Sequence, residues 1–296
     1  MRTVNDLFLG TVKLGLPEYG FSSAEVSEGF DPVQFLRAAA KLGVNRFDTS
    51  PRYGSSEELI GQFVKNSDPV PFVASKIDNL TAGNPDSPKI MEQSVSDSLL
   101  KLNLPALDIC YLHQNEIEIL SDKYVHEGLG ILKEKGLIRK IGASIYSEEE
   151  CLYALKSGVF DIIQVPVSVF DLGLYNSFVY EHSTSIVLVA RSLLLQGILV
   201  NRKSMNKRIR RSEPVRKYLD KLDKIADSCG ISTLEMALAF VYGLPGIDYY
   251  VIGTTSLQNL KHDIECMKVE LPQYVTDELK ALAGVEKEWT NARNWK

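Results

Sequence analysis

Val44-Asn45-Arg46-Phe47-Asp48-Thr49-Ser50-Pro51-Arg52-Tyr53-Gly54-Ser55-Ser56-Glu57-Glu58-Leu59-Ile60-Gly61 passes from a short apolar run, through a polar turn, into an amphipathic segment. Val44–Asp48 has the length of a strand and ends on an acid, while Ser56–Lys65 has helical spacing. Just upstream, Pro32–Leu42 reads as a helix. Asp31 stands at its N-cap, proline takes the first helical position, and Gly43 suits the residue that ends it. Helix, strand, polar turn and helix in this order are the rhythm of repeated βα units around a parallel sheet.

The same rhythm extends in both directions. Strand-like runs of four to six residues are predicted at Phe8–Val12, Val44–Asp48, Phe72–Lys76, Leu107–Tyr111, Lys140–Ala143, Ile162–Val165, Ile186–Ala190 and Tyr249–Ile252. Helical segments fill the gaps at Pro88–Leu102, Asp122–Lys135, Glu148–Ser157, Tyr175–His182, Leu257–Cys266 and Thr276–Ala283. Two further helices, Pro214–Ser228 and Thr233–Tyr242, fall between the seventh and eighth strands. Eight such units predict a closed (β/α)8 barrel of the TIM type, with an enlarged seventh loop. No low-complexity linker or shift of composition divides residues 1–296, so one barrel domain is expected.

Composition narrows the function. The chain has 296 residues, 45% of them hydrophobic, and a formal net charge of −5, which gives no global reason to expect nucleic acid or an anionic membrane as partner. The N-terminal Met1–Gly10 has no long apolar region before a small-residue cleavage site, and no run approaches a membrane span, so a cytoplasmic protein is expected. Cys110, Cys151, Cys229 and Cys266 are scattered without a C-x-x-C pair, which fits reduced thiols rather than a disulfide framework or a metal site.

Four polar residues lie at or just past the ends of consecutive strands: Asp48 and Tyr53, then Lys76, then His113. In a parallel barrel the carboxyl ends of all strands open on one face, so these four can converge there. Their chemistry is coherent. A lysine ammonium beside a phenol favours phenolate and so makes tyrosine a better acid, Asp48 holds Lys76 charged and aimed, and His113 can hydrogen-bond the carbonyl oxygen that Tyr53 protonates. Singly, each has a plainer reading: Asp48 as a helix cap, Tyr53-Gly54 as turn chemistry, Lys76 as a solvated strand end, His113 as a satisfied polar residue. His126, His182 and His262 lack such company and are read as surface or structural.

The motifs carry a resemblance. Phe47 to Gly61 resembles the aldo-keto reductase signature D-T-A-x-x-Y-G-x-S-E-x-x-L-G, and Ala74-Ser75-Lys76 and Tyr111-Leu112-His113 resemble the segments that complete that family's catalytic tetrad. The resemblance implies NAD(P)H-dependent carbonyl reduction on a (β/α)8 barrel, without metal or flavin. It also implies a cofactor site. Ser144 after strand five and Gln164 in strand six match the residues that bind the nicotinamide carboxamide, while Ile145 stands where the family often has asparagine. Arg191, followed by Ser192 and Leu194, falls where many members stack an aromatic ring on the nicotinamide, and a guanidinium plane can stack too. Gly197 follows in the loop toward the pyrophosphate. Gly253, Thr254, Thr255, Asn259 and Asp263 lie in a segment that resembles the adenosine-phosphate loop, whose free N–H groups and helix dipole favour phosphate. The lysine and arginine that grip the 2′-phosphate in many members are here Gly253 and Asn259. Lys261 or the basic seventh loop is left to supply that charge, and NADP(H) is expected slightly ahead of NAD(H).

The seventh loop crowds Arg202, Lys203, Lys207, Arg208, Arg210, Arg211, Arg216 and Lys217 into an otherwise acidic chain. It reads either as a clamp for the pyrophosphate or an anionic sugar derivative, or as a solvated basic helix. Candidate substrate-pocket residues are Tyr19, Pro51, Ile145, Phe170, Trp289, Arg293 and Trp295; the tail aromatics fit equally a packing role on the barrel wall or a dimer contact. The expected substrate is a small aldehyde, ketone or sugar carbonyl; the Leu9–Gly20 segment resembles a subgroup of bacterial members linked with carbohydrate biosynthesis, which implies a role in carbohydrate metabolism. Two rival readings remain: an epimerase or lyase that regenerates its nicotinamide in each cycle, and a nucleotide-binding sensor with vestigial chemistry. Oligomeric state is not legible.

Overall fold

The computed structural model describes residues 2–20, 29–181, 186–199, 202, 212–283 and 288–290. In chain order the elements are β1 (Leu7–Gly10), α1 (Val12–Gly15), α2 (Pro32–Lys41), β2 (Arg46–Asp48), α3 (Ser56–Val64), β3 (Phe72–Ile77), α4 (Ser87–Leu102), β4 (Leu107–Leu112), α5 (Ile117–Leu120), α6 (Lys123–Glu134) and β5 (Ile138–Ser144). They continue with α7 (Glu148–Lys156), β6 (Ile162–Pro166), α8 (Gly173–Glu181), β7 (Val187–Arg191), α9 (Ser212–Ser228), α10 (Thr233–Gly243), β8 (Tyr249–Ile252), α11 (Leu257–Cys266) and α12 (Gln273–Ala283). The eight strands pair in parallel in sequence order and close β8 onto β1, a (β/α)8 barrel. The two helices expected after the seventh strand are α9 and α10.

Local chemistry fixes these boundaries. Asp31 accepts the N–H groups of Val33 at 2.9 Å and Gln34 at 3.1 Å ahead of α2, and Gly43 leaves the helix at φ +93°. Ser147 and Glu150 form a capping box on α7, as Ser232 and Glu235 do on α10. The first strand is shorter than its apolar run. Thr11 donates its hydroxyl to the Asp48 carbonyl at 2.9 Å, and the chain turns there, so Val12 opens a short helix instead of ending a strand.

Each strand buries two faces. Outward side chains join the helices in one continuous core, and inward ones, Phe8, Ala74, Ile109, Tyr111, Ile162 and Val189, fill the barrel. Its N-terminal end is plugged by Arg46, whose guanidinium lies 4.6 Å from the Phe72 ring centre and 5.2 Å from that of Tyr249 while Nε donates to the Asn5 carbonyl. With that end closed, the open mouth is at the strands' carboxyl ends. Burial pushes the Cys110 thiol in β4 up to about 12, so it packs and does not react. Among the described residues no single helix is long and apolar enough to cross a membrane.

Candidate active site

Asp48 is the last residue of β2, and its Cα registers with Ala74 of β3, two residues before Lys76. Period-two alternation therefore places Asp48 and Lys76 on the same inner wall, one layer apart. Lys76 Nζ donates to Asp48 Oδ1 at 2.6 Å and to the Thr49 carbonyl at 2.8 Å. The pair is almost dry, with side chains 2% and 6% exposed. Asp48 Oδ2 accepts from Gln164 Nε2 at 2.8 Å across the barrel, so both carboxylate oxygens have partners.

After β2 the chain makes a tight turn. Tyr53 N donates to the Ser50 carbonyl at 2.9 Å, and Ser56 N returns to the Tyr53 carbonyl at 3.1 Å. That turn is braced by glycine: a Cβ on Gly15 of α1 would fall 1.8 Å from the Tyr53 carbonyl oxygen, and one on Gly54, at φ +56°, would fall 2.3 Å from the Gly15 carbonyl oxygen. The bracing sets the Tyr53 ring over Lys76, whose Nζ lies 5.1 Å from the ring centre. Just past β4, the His113 ring stands at 89° to the Tyr53 ring, centres 6.3 Å apart. The four residues expected to meet at the mouth do meet there.

One expectation about them needs correcting. Lys76 was expected to pull the Tyr53 phenol toward phenolate, yet the phenol is raised above its ordinary value. Burial is the largest cause and the Asp48 charge adds to it, with Arg191 opposing. A buried phenol resists ionisation, and the neighbouring Asp48 carboxylate opposes a second negative charge beside it. Tyr53 therefore holds its proton at neutral pH and can serve as a donor.

A cavity of about 150 Å³ opens beside Tyr53 and Asp48. Gln164, Arg191, Ser192, Leu194, Gly197 and Gly253 line it, as does Tyr19 of the expected substrate residues. Ser144, Thr254, Thr255, Asn259 and Asp263 do not. Ser144 is buried at the end of β5, in register with Gln164. Thr254 accepts the Ser256 N–H at 3.1 Å, and Ser256 caps α11 by accepting from Asn259 N, so this turn frames the helix N-terminus that was expected to face phosphate. Asp263 is buried on α11 beside Tyr242 and Cys266, and burial lifts its carboxyl to about 7.

Arg191 is built in firmly. Its guanidinium stacks 4.0 Å from the Tyr146 ring centre, Nη2 donates to the Ile145 carbonyl at 3.1 Å and Nη1 to Ser192 Oγ at 3.3 Å. Its buried Nε has no partner among the described residues. The wall beyond it, Ser192, Leu195, Gln196 and Gly197, takes positive φ values of 60°, 48°, 53° and 98°. Strain of this kind in residues other than glycine clusters at ligand clamps. Lys13, lowered from its ordinary value by burial, lines the same cavity, as does Gly10, whose missing side chain leaves the wall bare. An orphaned donor, two cationic side chains and bare glycine backbone suit an anionic, planar cofactor.

The remaining substrate candidates separate from the cavity. Pro51 and Ile145 do not line it. Phe170 and Trp289 instead pack on each other, ring centres 5.4 Å apart, and on Tyr218 of α9, at 6.1 Å and 5.8 Å. Thr290 donates to Asp171 at 2.7 Å and pins that tail segment. Arg293 and Trp295 lie outside the described residues, as do Lys203, Lys207, Arg208, Arg210, Arg211 and His182. Arg202 is committed to a bidentate pair with Asp223 of α9, at 2.5 and 2.6 Å; Arg216 and Lys217 are exposed on α9.

Sequence reasoning passed over two residues here. Asp78 lies two positions past Lys76, on the same alternation, and Arg52 immediately precedes Tyr53. Arg52 Nε stands 2.5 Å from Asp78 Oδ2, and His113 Nδ1 stands 3.1 Å from the same oxygen. The period-two step from Lys76 is the signal that could have found Asp78.

A family model described as the aldo/keto reductase family matches residues 6–283. The L-galactose dehydrogenase of Arabidopsis thaliana is 26% identical over 303 residues, covering 93% of this chain and 92% of that protein. The NADH-specific methylglyoxal reductase of Escherichia coli (strain K12) is 24% identical over 271 residues, covering 81% and 83%. Among solved structures, an aldo-keto reductase from Klebsiella pneumoniae in complex with NADPH shares the fold at a TM-score of 0.70 and 20% identity, covering 96% of this chain and 93% of that one.

Proposed function

The chain belongs to the aldo/keto reductase family of NAD(P)-dependent oxidoreductases, and from that membership we propose that it reduces an aldehyde, ketone or sugar carbonyl with Tyr53 as proton donor. The observation that carries the reading is the convergence of Asp48, Lys76, Tyr53 and His113 at one mouth, beside a cavity lined by Gln164, Arg191 and Ser192. Gln164, Arg191, Ser192, Leu194, Gly197 and Gly253 would hold that cofactor. When bound, it supplies the hydride.

The residues divide the remaining work. As the carbonyl oxygen gains negative charge it becomes basic enough to take the Tyr53 proton, although Tyr53 is a weak acid. Lys76, 5.1 Å from the ring centre, stabilises the phenolate left behind, and Asp48 keeps the ammonium in place. His113, its ring centre 6.3 Å from that of Tyr53, would hydrogen-bond the same oxygen. The Arg52, Asp78 and Asn79 rim is polar, with Arg52 Nη2 donating to Asn79 Oδ1 at 3.3 Å. A polar rim suits a hydroxylated substrate, as does the likeness to a relative described as an L-galactose dehydrogenase.

For the cofactor we place NADP(H) ahead of NAD(H). Lys261 is exposed on α11, within the segment expected to hold the adenosine phosphate, whereas Gly253 and Asn259 weaken the usual grip. Titrating the purified chain separately with NADPH and NADH, then screening aldehydes, ketones and aldoses for stoichiometric cofactor oxidation, tests the reading. Consumption of one cofactor per carbonyl supports a reductase. Turnover of a sugar without net consumption indicates the epimerase or lyase, and binding without any turnover indicates a sensor.

A further inference from the structure

His113 has one face toward the mouth and one toward Asp78. Asp78 follows β3 with its side chain only 5% exposed, and Oδ2 lies 3.1 Å from His113 Nδ1. Two other contacts keep the carboxylate ionised. Arg52 Nε approaches the same oxygen to 2.5 Å, and the Asn79 N–H donates to Oδ1 at 2.8 Å. Burial alone would raise this acid, but the close His113 ring, the Asn79 N–H and the charge of Arg52 bring it below its ordinary value. The His113 contact is bent. The Nδ1 direction runs toward Ser50 Oγ at 3.5 Å, and Asp78 Oδ2 sits to one side without a linear bond.

An ionised carboxylate only accepts. A bare Nδ1 lone pair 3.1 Å from it would set two negative sites against each other, so Nδ1 carries the proton. We infer that Asp78 is a positioning residue that fixes His113 as the Nδ1–H tautomer, so that His113 can donate to a carbonyl oxygen through Nε2 only as an imidazolium. Neutral His113 then presents a bare Nε2 to the mouth, which is an acceptor for the hydroxyl of an alcohol. One side chain thus serves opposite directions in opposite protonation states: charged for reducing a carbonyl, neutral for receiving an alcohol.

The inference rests on the proposed role of His113 at the reacting oxygen, but the tautomer itself does not depend on any substrate. Among the described residues, the groups that face His113 are Asp78 from the segment after β3, Ser50, Arg52 and Tyr53 from the turn after β2, and the Lys76–Asp48 pair behind the Tyr53 ring. Next along its own segment, Asn115 donates to Glu150 of α7. Of these, Asp78 is the acid in contact with the ring. Tyr53 stays protonated at neutral pH.

The test uses the full chain with nitrogen-15-labelled histidine, His113 being assigned by the signal that disappears in His113→Ala. Above its titration, the ring should show a protonated Nδ1 and a bare Nε2, and Asp78→Asn, whose amide can donate to Nδ1, should move the population toward Nε2–H. A neutral wild-type His113 protonated on Nε2 would overturn the inference. In the kinetic arm, wild-type kcat/KM for carbonyl reduction should fall with rising pH as the imidazolium is lost. Asp78→Asn should flatten that limb, and Asp78→Glu should restore it. An Asp78→Asn variant whose kcat/KM drops equally at every pH would reduce Asp78 to a structural role. If no carbonyl is reduced at all, the functional reading fails while the spectroscopic arm still decides the tautomer.

Discussion

Asp48→Asn, Lys76→Met and their combination form a double-mutant cycle on the buried pair at the base of the site. Nζ and Oδ1 are 2.6 Å apart with side chains 2% and 6% exposed, so at an effective dielectric of about 20 their attraction is about 6 kcal/mol before desolvation is counted. Desolvation of both groups cancels most of that in the intact pair, but a single substitution leaves the other group buried without its counter-ion, at a cost of about 3–5 kcal/mol. Lys76→Met strands Asp48 with Gln164 as its neutral partner; Asp48→Asn strands the ammonium with the Thr49 carbonyl. Removing both charges relieves the second penalty. Each single variant should therefore lose about 3 kcal/mol in urea unfolding at pH 7, and the double variant about the same, giving a coupling of about 3 kcal/mol. Losses that add to within about 0.5 kcal/mol would refute the reasoning, because independent sites behave in that way.

Three further outcomes follow from the geometry. Gly15→Ala places a methyl 1.8 Å from the Tyr53 carbonyl oxygen, so kcat should fall about tenfold or more as the Tyr53 turn shifts; Gly130→Ala, which meets nothing within 4 Å, should leave kcat unchanged and add about 0.5–1 kcal/mol of stability. Asp263 is protonated in the folded chain up to about pH 7 but only to its ordinary value of 3.8 when unfolded, so its contribution is intact below pH 3.8 and is lost as pH rises through 7. Urea melts of Asp263→Asn at pH 5 and pH 8 should show a flatter pH dependence than wild type and a gain at pH 8 of at most about 4 kcal/mol. Trp289→Ala should cost about 2–3 kcal/mol by stripping the rings from Phe170 and Tyr218, with the Kd for cofactor unchanged; a weakened Kd would return Trp289 to the ligand site.

The barrel was legible because its signals are local. Alternating strand and helix periods, proline and glycine at helix ends, and capping pairs such as Ser147 with Glu150 act within a few residues, so the elements lie close to where the periodicity put them. Val12 went astray because the turn at Thr11 is set by the Asp48 carbonyl, 37 residues away. The tetrad was legible because strand ends in a parallel barrel share one face. The electrostatic state of Tyr53 was not, since burial depends on the whole mouth. Phe170, Trp289 and Tyr218 find one another only in the folded chain, and nothing near Trp289 in sequence announces that partner. Asp78 was readable in principle, two residues past Lys76, but its meaning depends on His113 arriving from the next strand.

Whether Tyr53 protonates the substrate oxygen is decided by Tyr53→Phe, which removes one hydroxyl from a ring held by its turn and by Lys76. With the cofactor and carbonyl found in the screen, the account predicts a kcat at least about a hundredfold lower, with the cofactor Kd within about twofold of wild type. A Tyr53→Phe enzyme that reduces the same carbonyl at near wild-type kcat would contradict it.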